Sequence, residues 1–393
     1  MTKRLAIICT HPIQYYAPVF QLLANQVQLK VFYTSGEPSS YKYDKGFDRT
    51  IEWDLPLLDA YDYVFLKNNA KSPGTHHFTG ILNPDLINQV SNFGPNRILI
   101  YGWAWCSHLK AMRYFKGKVP IYFRGDSNLL NETNVIKTLL RKIFLKWIYK
   151  NVDKAFYVGT NNKAYYEAFG LVEEQLIFAP HAIDNYRFGT SEIDQAKKIR
   201  TNLNVGENDI VILFAGKLIP VKNPFLLLDA FIELDLANVH LLFVGNGELE
   251  ESLKSRFESF KLQRSFDCAQ DDELCKIHFM DFQNQTQMPA VYQACDLFCL
   301  PSQSETWGLS VNEAMACGKS ILISDKVGCS IDLVDHQNGS IFKSDDKEDL
   351  KQKIIVLTLD KTKLKKMGEN SLEKIKKWSF EVQSNVISEY VNR

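Results

Sequence analysis

Two glutamates, Glu305 and Glu313, stand eight positions apart in the string Ser304-Glu305-Thr306-Trp307-Gly308-Leu309-Ser310-Val311-Asn312-Glu313-Ala314-Met315-Ala316-Cys317-Gly318. An apolar run, Leu297-Phe298-Cys299-Leu300, precedes it and Ser320-Ile321-Leu322-Ile323-Ser324 follows. The whole therefore reads strand, turn, short helix, strand, the unit in which α/β proteins bind phosphates. Gly308 permits a tight backbone turn, and the N–H groups of Leu309 and Ser310 would then point at an anion. Glu305 lies in the loop before the helix. Glu313 lies more than one turn inside, where a carboxylate can accept two hydrogen bonds from a sugar diol. Glutamates are common on helix surfaces, but Glu305 sits between apolar strands and Glu313 sits in a small-residue run that Gly318 stops. One anion site flanked by two acceptors suits a nucleotide diphosphate sugar.

The rest of the chain alternates strand and helix, which predicts parallel sheets with helices on both faces. Expected strands are 5–10, 29–33, 97–101, 120–123, 154–158 and 175–179, then 209–214, 240–244, 276–279, 297–300, 320–324 and 340–342. Two such series imply an α/β protein of two Rossmann-like domains. The expected division is a first domain over 1–184, a linker over 185–208, a second domain over 209–375, and a last helix, 376–393, returning to the first domain. The polar stretch Ser265–Glu273 reads as a surface loop, and Asp271, Asp272, Glu273, Asp345 and Asp346 read as solvated acids.

Composition sets limits. With 393 residues and 45% hydrophobic content the chain can fill more than one core. Acids and bases balance at 46 each, so no global field calls for nucleic acid. The eight cysteines form no C-x2-C pair, and Cys9, Cys295, Cys299 and Cys317 fall in apolar elements, as reduced core thiols do. A cytoplasmic protein is expected. The opening run to Thr10 is too short for a signal segment, since His11-Pro12 ends it.

The string from Ser304 to Gly318 resembles the E-x7-E signature of retaining glycosyltransferases, specifically glycosyltransferase family 4. It matches at both acids, at the Gly-Leu after the first, and at Glu313-Ala314-Met315-Ala316-Cys317-Gly318. Phe214-Ala215-Gly216-Lys217-Leu218 through Lys222 resembles the family's Gly-Arg-Leu…Lys loop, with Lys217 where Arg is usual. That keeps the charge and loses the bidentate grip. Val244-Gly245-Asn246-Gly247 resembles the family's Val-Gly-x-Gly turn, and Met280-Asp281-Phe282 stands where such enzymes seat the base. The resemblance covers roughly 205–345 by motif and the first half by topology alone.

The resemblance implies a GT-B fold, two Rossmann-like domains facing across a cleft. It implies a hexosyltransferase of cell-envelope polysaccharide synthesis that moves a sugar, with retention, from a nucleotide diphosphate sugar to a glycan or lipid-linked acceptor. Glu305 and Lys222 are its catalytic candidates. Gly216, Lys217, Lys222, Gly245, Asn246, Met280, Asp281, Phe282, Glu305, Trp307, Gly308, Leu309, Ser310 and Glu313 are its donor-binding candidates. No cofactor or metal is expected, because Lys217, Lys222 and the helix dipole at Gly308 can neutralise the leaving group. A sugar-nucleotide 2-epimerase of the same fold, a silent donor-binding partner and, more remotely, a pyridoxal-dependent phosphorylase remain alternatives.

In the first half, ligands should gather beyond the strand C-terminal ends. There lie His11, Gln14 and Tyr15, then Trp103, then Arg124 and Asp126, and finally His181, the acceptor-side candidates. Trp103 and Trp105 read equally well as sugar-stacking rings or as core. Family members often carry a first-domain His near the reacting centre, but Gly102-Trp103 stands at that strand end, so no His takes the role. Residues 134–150 interleave Lys137, Arg141, Lys142, Lys146 and Lys150 with Ile136, Leu140, Ile143, Phe144, Trp147 and Ile148. Such a helix either lies on anionic lipid at the inner face of the cytoplasmic membrane or packs on the sheet as an ordinary domain helix.

Overall fold

A computed structural model describes residues 3–37, 42–44, 46–131, 135–267 and 276–393. The strands are β1 (Arg4–Cys9), β2 (Gln28–Tyr33), β3 (Lys42–Asp44), β4 (Arg49–Ile51), β5 (Asp62–Phe65), β6 (Arg97–Tyr101), β7 (Ile121–Arg124), β8 (Lys154–Tyr157) and β9 (Leu176–Phe178). They continue with β10 (Ile210–Ala215), β11 (Val239–Val244), β12 (Ile277–Met280), β13 (Leu297–Leu300), β14 (Ser320–Ser324) and β15 (Gly339–Phe342). One parallel sheet runs β5-β2-β1-β6-β7-β8-β9 and the other β12-β11-β10-β13-β14-β15, while β3 and β4 form an antiparallel hairpin. Every strand read from the sequence is present with its ends within a residue. The reason is physical: covered on both faces, parallel strands become continuous apolar runs, and all of Ile210–Ala215 is buried. β5 was not expected, because it is a short edge strand whose Asp62 and Tyr63 are exposed.

The chain groups into two compact units, Met1–Tyr41 with Leu55–Ile183 and Lys377–Arg393, and Lys42–Asp54 with Asp184–Lys376. In the first unit, Ala6, Ile8, Ile98 and Phe123 fill one face of the sheet. Leu5, Ile7, Leu99 and Phe156 fill the other, where Phe380, Ile387 and Val391 of the helix Phe380–Asn392 join them. In the second unit Ile212, Phe214, Leu241 and Leu297 pack against Leu227, Leu350 and Ile354.

Residues 185–208, expected as linker, instead carry the helices Asn185–Gly189 and Ile193–Asn202. Phe188 is fully buried, and Arg200 pairs with Asp296 and donates to the Gly206 and Asp209 carbonyls. The polar composition reflects helix surface and a partly buried ion pair. The loop expected from Ser265 begins inside the helix Glu250–Asp267, and Asp271, Asp272 and Glu273 lie outside the described residues. Asp345 and Asp346 are engaged: Asp345 accepts from Asn223 and Gln303, and Asp346 caps the helix Lys347–Thr358.

Three histidines are held neutral. Burial pushes His108 down to about 4 and His181 to about 3, the latter with help from Arg124. His278 falls to about 4, through burial and then His240, whose Nδ1 lies 3.0 Å from the His278 Nε2. Unfolded histidine titrates near 6.5, so the unfolded chain binds more protons over this interval. The stability these groups contribute is complete above about pH 6.5 and is lost as pH falls towards 4. His278→Asn should therefore lose less melting temperature between pH 7 and pH 4.5 than the wild type, by roughly 2–4 °C for each kcal/mol of linkage removed. Parallel thermal melts at the two pH values measure it, and identical slopes would refute the assignment.

Candidate functional site

The second sheet reverses its strand order between β10 and β13, which are neighbours although β11 and β12 intervene in sequence. Loops leaving two such strands diverge and open a crevice at their C-terminal ends. Lys222 ends the turn Pro220–Lys222 after β10, and Glu305 lies in the loop after β13. Lys222 Nζ and a carboxylate oxygen of Glu305 form an ion pair, with side chains only 21% and 17% exposed. The two loops are stitched together beside the pair. The Gln303 N–H donates to the Val221 carbonyl at 2.9 Å, and Asp345 Oδ1 accepts from Asn223 at 2.8 Å and Gln303 at 2.7 Å.

Glu305 is fixed by its own backbone. Its N–H donates to Lys326 and its carbonyl accepts from Gly328, a two-residue parallel bridge to the loop after β14. Gly308 then turns the chain into the helix Leu309–Ala316 at φ +99°, where an added Cβ would come within 2.9 Å of Val327. Only glycine fits that turn. Leu309 and Ser310 supply the first N–H groups of the helix, adjacent to Glu305. Trp307 does not point at this opening: its ring is buried and its Nε1–H donates to Asn312 at 2.9 Å. Glu313 is 4% exposed and accepts from the Tyr292 hydroxyl at 2.8 Å.

Beside this group, the turns after β10, β11 and β12 are bonded main chain to main chain. Gly216 donates to Val244, Leu218 to Asn246, and Gly245 to Met280. An added Cβ at Gly245, φ +130°, would collide with the Gly216 carbonyl. Asn246 organises the edge, accepting the Phe282 N–H at 2.8 Å and donating to Glu250 at 2.8 Å and weakly to Asp281. Lys217 Nζ stands 4.9 Å from the centre of the Phe47 ring. Lys217, Asn246, Asp281 and Phe282 thus share one edge, which continues through Lys222 to Glu305. Among the described residues, no group of three or more His, Cys, Asp or Glu is placed to hold a metal ion.

In the first unit, His11, Gln14 and Tyr15 lie on the loop after β1, with His11 Nδ1 3.0 Å from the Thr10 hydroxyl. Tyr16 stacks on His181 at 6.3 Å and lies tilted against Tyr101 at 4.7 Å, and burial followed by Asp126 pushes its phenol far up. Arg124 is 2% exposed and spends its guanidinium on the carbonyls of Ala179 and Pro180, at 2.8 and 2.9 Å. It braces the β7 and β9 ends, so its guanidinium is engaged within the protein and not offered at the strand-end surface. Trp103 packs on the sheet core and edge-on against Phe144 at 5.7 Å, so the core reading prevails for it. Sequence reasoning missed Asn312, a local partner of Trp307, and Gln303, Asp345, Tyr292 and the hairpin 42–54, which act across longer sequence separations.

Two Rossmann-like units of parallel sheet give the chain the GT-B fold, shared with solved glycosyltransferase structures. Residues 195–374 match the family described as glycosyl transferases group 1. It is 24% identical to D-inositol 3-phosphate glycosyltransferase of Rhodococcus erythropolis, over 84% of this chain and 77% of that protein. It is also 24% identical to N,N'-diacetylbacillosaminyl-diphospho-undecaprenol alpha-1,3-N-acetylgalactosaminyltransferase of Campylobacter jejuni, over 62% and 60%. Other curated relatives are matched over 44% and 40% of their length. Among solved structures, Anabaena HepE in complex with UDP and glucose superposes at a TM-score of 0.70 with 16% identity, over 99% of both chains.

Proposed function

We propose that the chain moves a hexose from a nucleotide diphosphate sugar, held by the second unit, to a glycan or lipid-linked acceptor taken by the first. The reaction retains configuration and needs no metal. The Lys222–Glu305 pair at the strand-order reversal, beside the helix start at Gly308, carries this reading. The bond from the sugar's anomeric carbon to the phosphate oxygen breaks with its electron pair moving onto the diphosphate, while the acceptor hydroxyl oxygen bonds to that carbon on the same face and its proton passes to the departing phosphate oxygen. Lys222, Lys217 and the helix N-terminus neutralise that charge where it develops. Glu305, released from Lys222 as phosphate takes over the ammonium, holds the sugar hydroxyls and steadies the oxocarbenium-like centre. Glu313, positioned by Tyr292, takes the ribose. The HepE complex with UDP and glucose supports a donor of this class.

The acceptor reading draws on the helix Val135–Tyr149. Leu145, Ile148 and Tyr149 are buried in the sheet core. Leu140, Ile143, Phe144 and Trp147, at helical spacing on another side, are 65%, 65%, 46% and 42% exposed. Arg141, Lys142, Lys146 and Lys150 are exposed around them, and Arg113 lies over Trp147 at 5.2 Å. One face serves the core and a second, apolar and cation-flanked, suits anionic lipid. Among the described residues no helix is long and apolar enough to cross a membrane, so peripheral docking at the cytoplasmic face is the form proposed. The Campylobacter relative, named for an undecaprenol-linked acceptor, fits this.

Lys222→Ala should lower kcat/KM by about 10²–10³, the order seen when a group stabilising developing charge is removed. Glu305→Gln should reduce kcat more than donor affinity. Full activity in Glu305→Gln, or nucleoside diphosphate release equally fast without acceptor, would count against transfer. In the same assay a chelator should leave the rate unchanged, and loss restored by magnesium or manganese would overturn the lysine-based account. Co-sedimentation should show binding to anionic but not neutral vesicles, weakening with salt and with Lys142→Glu plus Lys146→Glu. No binding at low salt removes the docking proposal.

A further inference from the structure

The hairpin β3–β4 lies in sequence between β2 and β5 of the first sheet, yet Lys42–Asp54 groups with the second unit. It is tied to that unit at several points. The Asn284 side chain donates to the Glu52 carbonyl at 2.7 Å, and the Thr286 N–H and hydroxyl both donate to Asp54. These ties bring the turn 46–49 onto the ends of β10, β11 and β12. Phe47 meets Phe282 edge to face at 4.9 Å, and Trp53 meets the same ring at 6.2 Å. Arg49 Nη1 donates to Asn246 Oδ1 at 2.9 Å, and its guanidinium lies 5.5 Å from the Phe282 centre. Lys217 Nζ stands over the other ring of the pair, Phe47.

Two cations, Lys217 and Arg49, therefore flank one aromatic pair, Phe47 and Phe282, at the edge already assigned to the donor. Arg49 uses one N–H of its fork on Asn246, and guanidinium carries five. Among the described residues no carboxylate forms an ion pair with it. A planar donor anchored by a neutral amide and an aromatic face is suited to bidentate recognition of phosphate oxygens, the geometry lost from the phosphate loop where Lys217 stands in place of Arg.

We propose that the hairpin 42–54 is a built wall of the donor site, in which Arg49 supplies a diphosphate contact and Phe47, with Phe282, flanks the base. The inference rests on the donor reading above and adds residues that the motifs around 205–345 do not contain. Titration calorimetry of the full chain with a nucleoside, its monophosphate and its diphosphate tests it. Arg49→Ala should weaken diphosphate binding about tenfold or more, in the range of a lost charge-assisted hydrogen bond, and leave the nucleoside within about twofold. Arg49→Lys should recover part of the loss, and Phe47→Ala should weaken all three ligands alike. Thermal melts establish that each variant is folded, and Arg49→Lys reads the same question if Arg49→Ala is not. Diphosphate binding unchanged in Arg49→Ala, with Lys222→Ala impaired, reduces the hairpin to a brace and overturns the inference alone. No nucleoside diphosphate binding by the wild type overturns the donor reading and this inference with it.

Discussion

The reversal of strand order between β10 and β13 is the constraint on which the site depends. Connections that leave in opposite directions cannot fill the space between their first residues, so the fold leaves an opening there whatever the sequence. The sequence then decides what lines it. Lys222 and Glu305 meet with only about a fifth of each side chain exposed, and their loops are locked by Gln303, Asn223 and Asp345. Such a pair contributes little net stability, because desolvation offsets much of the attraction. Removing one partner costs more, since the other stays half-buried without compensation. A residue pair retained on those terms is better explained by the ligand that can exchange with one of its members than by folding.

What could be read in advance was local. Apolar runs became strands because parallel strands are buried on both faces, and Gly245 and Gly308 marked turns because their backbones lie where a Cβ would collide. The acids and lysines of the second unit were legible for the same reason, each standing a few residues from a strand end. What escaped was long-range. Tyr292 orients Glu313 from another helix, and Asp345 braces two loops from beyond β15. None of these pairings leaves a period or a spacing in the sequence. Charge was misleading in the stretch 185–208, where polar composition belongs to Arg200 and its partly buried partners and not to a linker.

The first unit presents a different chemistry at its strand ends. Arg124 is sealed beneath the edge and holds the β9 exit through two carbonyls. Its positive charge, added to burial, keeps the neighbouring His181 neutral over the whole physiological range. Tyr16, stacked on His181 and tilted against Tyr101, is kept a phenol. Beyond β1, β6 and β9 the chain therefore gathers largely buried neutral rings, with the Asp126 carboxylate beside them. That suits hydroxyl groups better than phosphates.

The hairpin 42–54 shows why the second unit cannot be delimited along the chain. The family match begins at residue 195, and every motif that identified the site lies beyond 205. Yet Asn246, which orders the turn after β11, accepts from both Phe282 and Arg49, so its carbonyl oxygen is shared between a local partner and one 197 positions away. Phe282 is likewise surrounded by Phe47, Trp53 and Arg49. A fragment starting at the family boundary would keep Lys217, Lys222 and Glu305 but expose the Phe282 ring and leave Asn246 with half of its acceptor contacts. The unit is set by contacts in space, and the segment 42–54 enters the sequence before all of the second unit's motifs.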